Sequence, residues 1–157
     1  MTQPGVLFHG TPTEGVVVLM PAPSKVLEGQ AAVFATDLMW IALIFAAKPP
    51  NNEIDFGFID GRPYIAEMSA GAFSHLRRSG FVCVVNADGF CQERLVGMFG
   101  HEFVCRSLVY VRYCMPVSNP FDTIQAWFPR ILLIHHEQYS DFFDAESFVA
   151  SDVIQTQ

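Results

Sequence analysis

Val6-Leu7-Phe8-His9-Gly10-Thr11 is the stretch on which the fold turns. Three apolar residues run straight into a histidine, a glycine and a hydroxyl. That is the pattern of a buried strand whose end carries an imidazole and bare backbone into a cleft. Two later stretches share the character. Ala31-Ala32-Val33-Phe34-Ala35-Thr36 leads directly into a long apolar run, and His101-Glu102-Phe103-Val104 sets a carboxylate at the mouth of another. The fold and the chemistry both depend on whether these three pieces meet.

The 157 residues read as one domain, 1–157, with a sizeable core: 51% are apolar, 15 are phenylalanine and only 16% are charged. The longest apolar stretch, Leu38 to Ala47, falls well short of the length that crosses a bilayer. Met1-Thr2-Gln3-Pro4-Gly5 carries neither a basic region nor an apolar signal core, so the expectation is a cytoplasmic protein with no membrane association. A net charge of −7 speaks against non-specific nucleic-acid binding, which relies on neutralising phosphates. A small anionic ligand stays open, because a helix N-terminus or one arginine can hold a phosphate locally. Cys83, Cys91, Cys105 and Cys114 form no C-x-x-C pair, and Cys83 and Cys105 lie inside apolar runs. All four are expected to be reduced and mostly structural, without a disulfide framework.

Outward from the first strand, Gly10 to Gly15 is turn-rich and Val16–Leu19 is a second β-branched run. After a proline-rich loop, residues 31–35 form a strand, and Thr36 or Asp37 caps a helix whose interior, Leu38–Ala46, is apolar almost all round. Such a helix packs on both sides, and Pro49-Pro50 stop it. Ile54–Ile59 and Tyr64–Met68 flank Asp60-Gly61, a strong hairpin signal. Gly71–Arg78 reads as a short helix or turn, Phe81–Val85 as a strand and Glu93–Phe99 as a short helix. Residues 102–106 and 108–113 read as strands. Asn119-Pro120 starts a helix that carries Phe121, Ile124, Trp127 and Phe128. Ile131–Tyr139 reads as a further helix and Phe142–Val149 as an edge segment. Short strands outnumber two or three helices, which makes the class α+β.

The candidate chemistry follows from the same residues. His9, Gly10 and Thr11 offer an imidazole, accessible backbone groups and a hydroxyl, a set suited to an amide or a ribose. Glu102 at a strand mouth can hold a ribose hydroxyl or stabilise a developing oxocarbenium ion. Glu67, at the end of its own strand, competes for that role, and Arg62 is a candidate for a phosphate. Each also has a plainer reading, as a buried strand end, an exposed acid or a solvated arginine. The histidines make no metal site: His135 and His136 are adjacent, and His9, His75 and His101 lack ligand spacing. No P-loop, dinucleotide fingerprint or nucleophile elbow occurs.

Taken together, the three pieces resemble the diphtheria-toxin-like and poly-ADP-ribose-polymerase-like branch of the ADP-ribosyltransferases, over about residues 6–113. Leu7-Phe8-His9-Gly10-Thr11 resembles the family's first-strand histidine and glycine, which bind the ribose and nicotinamide of NAD. Val33-Phe34-Ala35-Thr36-Asp37 resembles its second element, a strand running into a helix. His101-Glu102-Phe103-Val104-Cys105 resembles the strand that bears the catalytic glutamate. The resemblance implies an ADP-ribosyltransferase-like fold, two small, mostly antiparallel sheets forming a cleft with two or three helices packed against them. It implies NAD as co-substrate and no metal, with Glu102 and His9 catalytic. It further implies His9, Gly10, Thr11, Val33, Phe34 and Thr36 as the residues that bind NAD. The family's stacking tyrosine corresponds to Val33 here, with Phe34 beside it, and a helix position that often bears a hydroxyl is apolar around Ile41.

Three functions are therefore weighed. The first is an ADP-ribosyltransferase or NAD glycohydrolase, whose acceptor is a protein side chain, a nucleic-acid group or water. The second is a catalytically silent relative that binds a nucleotide or a protein partner. The third is an unrelated α+β interaction protein, which predicts neither NAD binding nor a cleft at His9.

Overall fold

Residues 4–24, 27–92 and 100–143 are described in a computed structural model of the chain. They form two open sheets and few helices. The larger sheet has the strand order β2-β10-β7-β1-β4-β9-β8, with β3 beside β4, and every pairing in it is antiparallel. Its strands are β1 (Val6–Thr11), β2 (Val18–Leu19), β3 (Ala22–Pro23), β4 (Ala31–Thr36), β7 (Gly80–Asn86), β8 (Cys91–Gln92), β9 (Glu102–Cys105) and β10 (Val109–Val117). The smaller sheet is β11-β6-β5, built from β5 (Ile54–Ile59), β6 (Arg62–Glu67) and β11 (Leu132–Ile134).

The larger sheet is split along one seam. On one side β1 is registered against β7 over its whole length, from Val6↔Asn86 to Thr11↔Phe81. On the other side it meets β4 at a single pair, Phe8↔Thr36. β4 is itself fully registered on β9, from Val33↔Cys105 to Thr36↔Glu102. Past Phe8, then, the backbone groups of β1 that face away from β7 have no strand opposite them. This seam positions the site.

Strand alternation sorts the side chains of these four strands between two faces. Leu7, Val33, Ala35, Val85, Phe103 and Cys105 share a core on one face. The other face receives α1 (Met39–Ala47). That helix is buried nearly all round because it lies between the sheets. Its residues pack with Val82 of the larger sheet, with Ile54, Phe56 and Ile65 of the smaller one, and with Phe121 and Ile124 of α2 (Pro120–Trp127). A helix apolar on every side is the sequence such a position requires. Two glycines let it settle on the strands. A Cβ on Gly10 would overlap the Ala42 carbonyl oxygen and stand 2.5 Å from the Ala46 nitrogen, and a Cβ on Gly80 would overlap the Ala46 carbonyl.

Several expectations hold. Asp60 and Gly61 both take the left-handed backbone, with φ of 51° and 78°, as a two-residue hairpin between β5 and β6 demands. Asn119 caps α2, its side-chain oxygen accepting the Asp122 N–H at 3.1 Å, with Pro120 in the first turn. Gly71–Arg78 yields a 3₁₀ turn over Ala72–Arg77. Glu93–Phe99 and the segment beyond Phe143 lie outside the described residues.

Two expectations are corrected. Ile131–Tyr139 is not a helix: Leu132–Ile134 adds as a parallel strand to β6, and a 3₁₀ turn (His136–Gln138) and the short α3 (Tyr139–Phe142) follow. Four apolar residues in a row do not distinguish strand from helix, and the open edge of β6 decides for strand. The four cysteines are not all reduced. Cys83 of β7 and Cys114 of β10 stand opposite each other in register and are joined by a disulfide. Cys91 and Cys105 are free. Among the described residues no helix is long and apolar enough to cross a membrane.

Candidate functional site

Where β1 and β4 part, a cleft of about 320 Å³ opens. Its walls include His9, Gly10 and Thr11 from β1, Phe34 and Thr36 from β4, and Glu102 from β9. The helix α1 closes it with Ile41, Ala42 and Phe45, and Lys48 follows at the helix end. Three segments separated by up to about ninety residues thus meet on one cavity.

His9 stands in the seam itself. Its Nδ1–H donates to the Phe34 carbonyl at 2.7 Å, so a side chain bridges the two strands where the backbone ladder has stopped. A carbonyl only accepts, and the ring's proton is therefore on Nδ1. Burial holds the imidazole below its ordinary pKa, a shift the bond to Phe34 opposes but does not cancel. His9 is neutral near pH 7, and Nε2 is left as a hydrogen-bond acceptor.

Glu102 is the acid of the cleft. It is 5% exposed, and its Oε2 is buried with no hydrogen-bond partner among the described residues. Burial pushes its carboxyl up from 4.5 to about 7, because the charged form loses solvent. Beside it, at the neighbouring step of the β4–β9 ladder, His101 Nδ1 and Asp37 Oδ1 pair at 2.9 Å and tie the ends of the two strands together.

Glu67 is excluded from this role by its partners. Its Oε2 accepts the Phe73 N–H at 2.8 Å, and its Oε1 accepts the His136 N–H at 3.3 Å and lies 3.4 Å from His135 Nδ1. Glu67 ties the 3₁₀ turn and the 135–136 segment to the smaller sheet. Two strand-end glutamates that look alike in sequence therefore do opposite things. Arg62 is likewise engaged elsewhere, its Nε donating to the Arg130 carbonyl at 3.1 Å, and it does not line the cleft.

The threonines use their lone pairs locally. Thr11 Oγ1 accepts the Thr13 N–H and Thr36 Oγ1 accepts the Leu38 N–H, each at 3.1 Å, leaving their O–H groups to donate. Neither Thr36 nor Asp37 is the helix cap expected from the sequence: the bond from Thr36 reaches only Leu38, which is the N-cap residue, and α1 starts without a side-chain cap. The glycine at position 10 is demanded by α1 rather than by a ligand, although its backbone still lines the cavity. Val33 is the expected site residue that the fold leaves out. It is 3% exposed, faces the core with Leu7, Val85 and Phe103, and does not line the cleft. Strand alternation sends residue 34 to the cleft when residue 33 goes to the core, so the aromatic surface comes from Phe34, with Phe45 from α1.

Phe45 and Lys48 were not among the residues picked out from sequence. Phe45 reads as one more apolar residue of an all-apolar helix, and no signal separates it from the rest. Lys48 carried a signal of a kind: it is one of only two lysines, set between ten apolar residues and a proline pair. The cleft thus offers apolar walls for a flat ring, a neutral imidazole acceptor, two hydroxyl donors and a carboxyl whose Oε2 has no partner among the described residues. Among the described residues no cluster of three or more His, Cys, Asp or Glu side chains stands ready for a metal ion. The chain matches no protein-family model, no curated protein and no solved structure.

Proposed function

We propose that the chain is an NAD-dependent ADP-ribosyltransferase or NAD glycohydrolase with an ADP-ribosyltransferase-like fold. The observation that carries this reading is the buried, unpartnered Oε2 of Glu102, in one cleft with His9 and Phe34. A carboxyl oxygen that has lost its solvent without gaining a partner is a costly arrangement, and such arrangements cluster where chemistry is done.

In this reading nicotinamide lies against Phe34 and Phe45, and its amide meets the backbone of Gly10. The nicotinamide ribose gives a hydroxyl to Glu102 and another to His9 Nε2. A cleft of about 320 Å³ suits nicotinamide and one sugar, with the rest of the dinucleotide extending out of it. The bond between the ring nitrogen and the anomeric carbon breaks, and its electron pair stays on nicotinamide, which becomes neutral. Positive charge develops on the ribose, and the Glu102 carboxylate stabilises it in a dry, low-dielectric setting. The acceptor, a side chain, a nucleic-acid group or water, attacks that carbon and loses its proton. Only ionised Glu102 can do this, so activity rises with pH through about 7 in the free protein.

A catalytically silent nucleotide binder is the second reading. It is favoured by the same carboxyl, half protonated near neutral pH and therefore a donor as well as an acceptor. The test is nicotinamide release from NAD by the purified protein and by Glu102→Gln. Turnover that falls about 10²–10³-fold in the variant supports the enzyme. NAD bound without turnover selects the silent binder, and turnover unaffected by the substitution removes Glu102 from the mechanism.

A further inference from the structure

Among the described residues of the cleft wall, Lys48 is the one that carries a formal charge at neutral pH and that the proposed chemistry does not use. His9 is held neutral, and Lys48 is then the single cation among the described lining residues. No carboxylate pairs with it among the described residues, whereas Arg77 is paired with Asp122, Arg62 with the Arg130 carbonyl and Arg106 with Gln30. On a chain of net charge −7 the overall field repels anions, so an anionic ligand depends on a local cation.

The backbone beneath Lys48 is fixed. Its φ of 49° is left-handed, its N–H is held by the Ile44 and Phe45 carbonyls, and Pro49 follows. Helices ordinarily end in this conformation on glycine, because any Cβ there is crowded. A lysine complements the negative end of the helix dipole, yet it does so at a conformational cost that glycine avoids. The position is also distant from the acid. β4 enters α1 directly after Thr36, which is opposite Glu102, and Lys48 stands at the far end of nine helical residues. That is about 13 Å of helix, a separation that an extended ligand spans.

We propose that the Lys48 ammonium is the phosphate-binding point of this cleft, so that its ligand is an extended phosphate ester with an uncharged ring and sugar toward Phe34 and Glu102. This rests on the nucleotide reading above and specifies what the cleft selects: a phosphate-bearing ligand rather than a free aromatic amide. The pyrophosphate of a dinucleotide and the phosphates of a simple nucleotide share this chemistry.

The test is calorimetric titration of the wild type, Lys48→Gly and Lys48→Arg with nicotinamide, ADP-ribose, ADP and NAD. Lys48→Gly removes the charge while giving the helix end the residue its backbone prefers, so the variant folds at least as well as the wild type. The expected result is nicotinamide affinity unchanged in Lys48→Gly, with NAD and ADP-ribose weakened about tenfold or more. The loss shrinks as salt rises, and Lys48→Arg recovers most of the affinity. ADP weakened as strongly as ADP-ribose assigns the contact to any nucleotide phosphate, and a larger loss for ADP-ribose assigns it to the longer ligand. Equal NAD affinity in wild type and Lys48→Gly overturns the assignment of Lys48 and leaves the cleft reading standing. Wild type that binds neither nicotinamide nor NAD overturns both.

Discussion

Replacing Glu102 by glutamine is expected to stabilise the protein at alkaline pH. The carboxyl has its pKa raised by burial from 4.5 to about 7, so the folded state holds a proton that the unfolded state has already released between those values. Where the native state binds more protons than the unfolded one, stability falls as pH rises. The cost of Glu102 is therefore absent below about pH 4.5, grows through the window to about 7 and is complete above it. At about 1.4 kcal/mol for each pH unit, the full cost is about 3 kcal/mol, an order-of-magnitude ceiling. Glutamine has nearly the same shape and never ionises. Urea unfolding of wild type and Glu102→Gln from pH 4.5 to 8.5 reads the difference directly, because every other side chain is common to both. The two stabilities should lie close together at pH 4.5, and the variant should gain steadily to a lead of up to about 3 kcal/mol at pH 8. A gap that does not change with pH, or a variant that weakens as pH rises, refutes the claim that Glu102 is buried without compensation. The functional reading of the cleft would lose its strongest support with it.

Two further perturbations test the frame around the site. Gly10→Ala drives a methyl into the backbone of α1 at Ala42 and Ala46, and Gly80→Ala does so at Ala46. Each should cost about 1–3 kcal/mol by denaturant titration, and an alanine accepted without loss at either place would show that α1 does not rest on the strands as described. The Cys83–Cys114 disulfide closes a loop of 31 residues, for which chain entropy implies about 3–4 kcal/mol. Adding a reductant, or the double change to alanine, should lower the melting temperature markedly. Mass spectrometry of the untreated protein showing both thiols free would contradict the bond itself.

Much of the frame was legible in the sequence. The apolar runs ending at His9, at Thr36 and beginning at Glu102 are strands because side chains of alternating burial leave little else for them. The Asp60-Gly61 turn and the Asn119 cap follow from local backbone chemistry that needs no distant partner. The apolar-all-round helix announced burial on both sides, which its position between the sheets provides. Other features were not legible. Cys83 and Cys114 are 31 residues apart and meet only because β7 and β10 pair in that register. Leu132–Ile134 is a strand because β6 had an open edge.

At the site itself the division is sharper. Local sequence determined which residue types could do chemistry, since an imidazole, a hydroxyl or a carboxyl at a strand end is recognisable wherever the strand goes. It could not choose between Glu67 and Glu102, because the choice lies in partners contributed by distant segments. Phe73, His135 and His136 satisfy the first, and nothing among the described residues satisfies Oε2 of the second. Nor could it choose between Val33 and Phe34. Alternation puts neighbours on opposite faces, but which face meets a core and which a cleft depends on what packs there. Tertiary structure also gave Gly10 its reason and brought Lys48 to the cleft, at the far end of a helix whose length no motif records. The strands follow from short-range periodicity, whereas the site is made by long-range contact, which selects one acid, one aromatic and one cation from several equally plausible on paper.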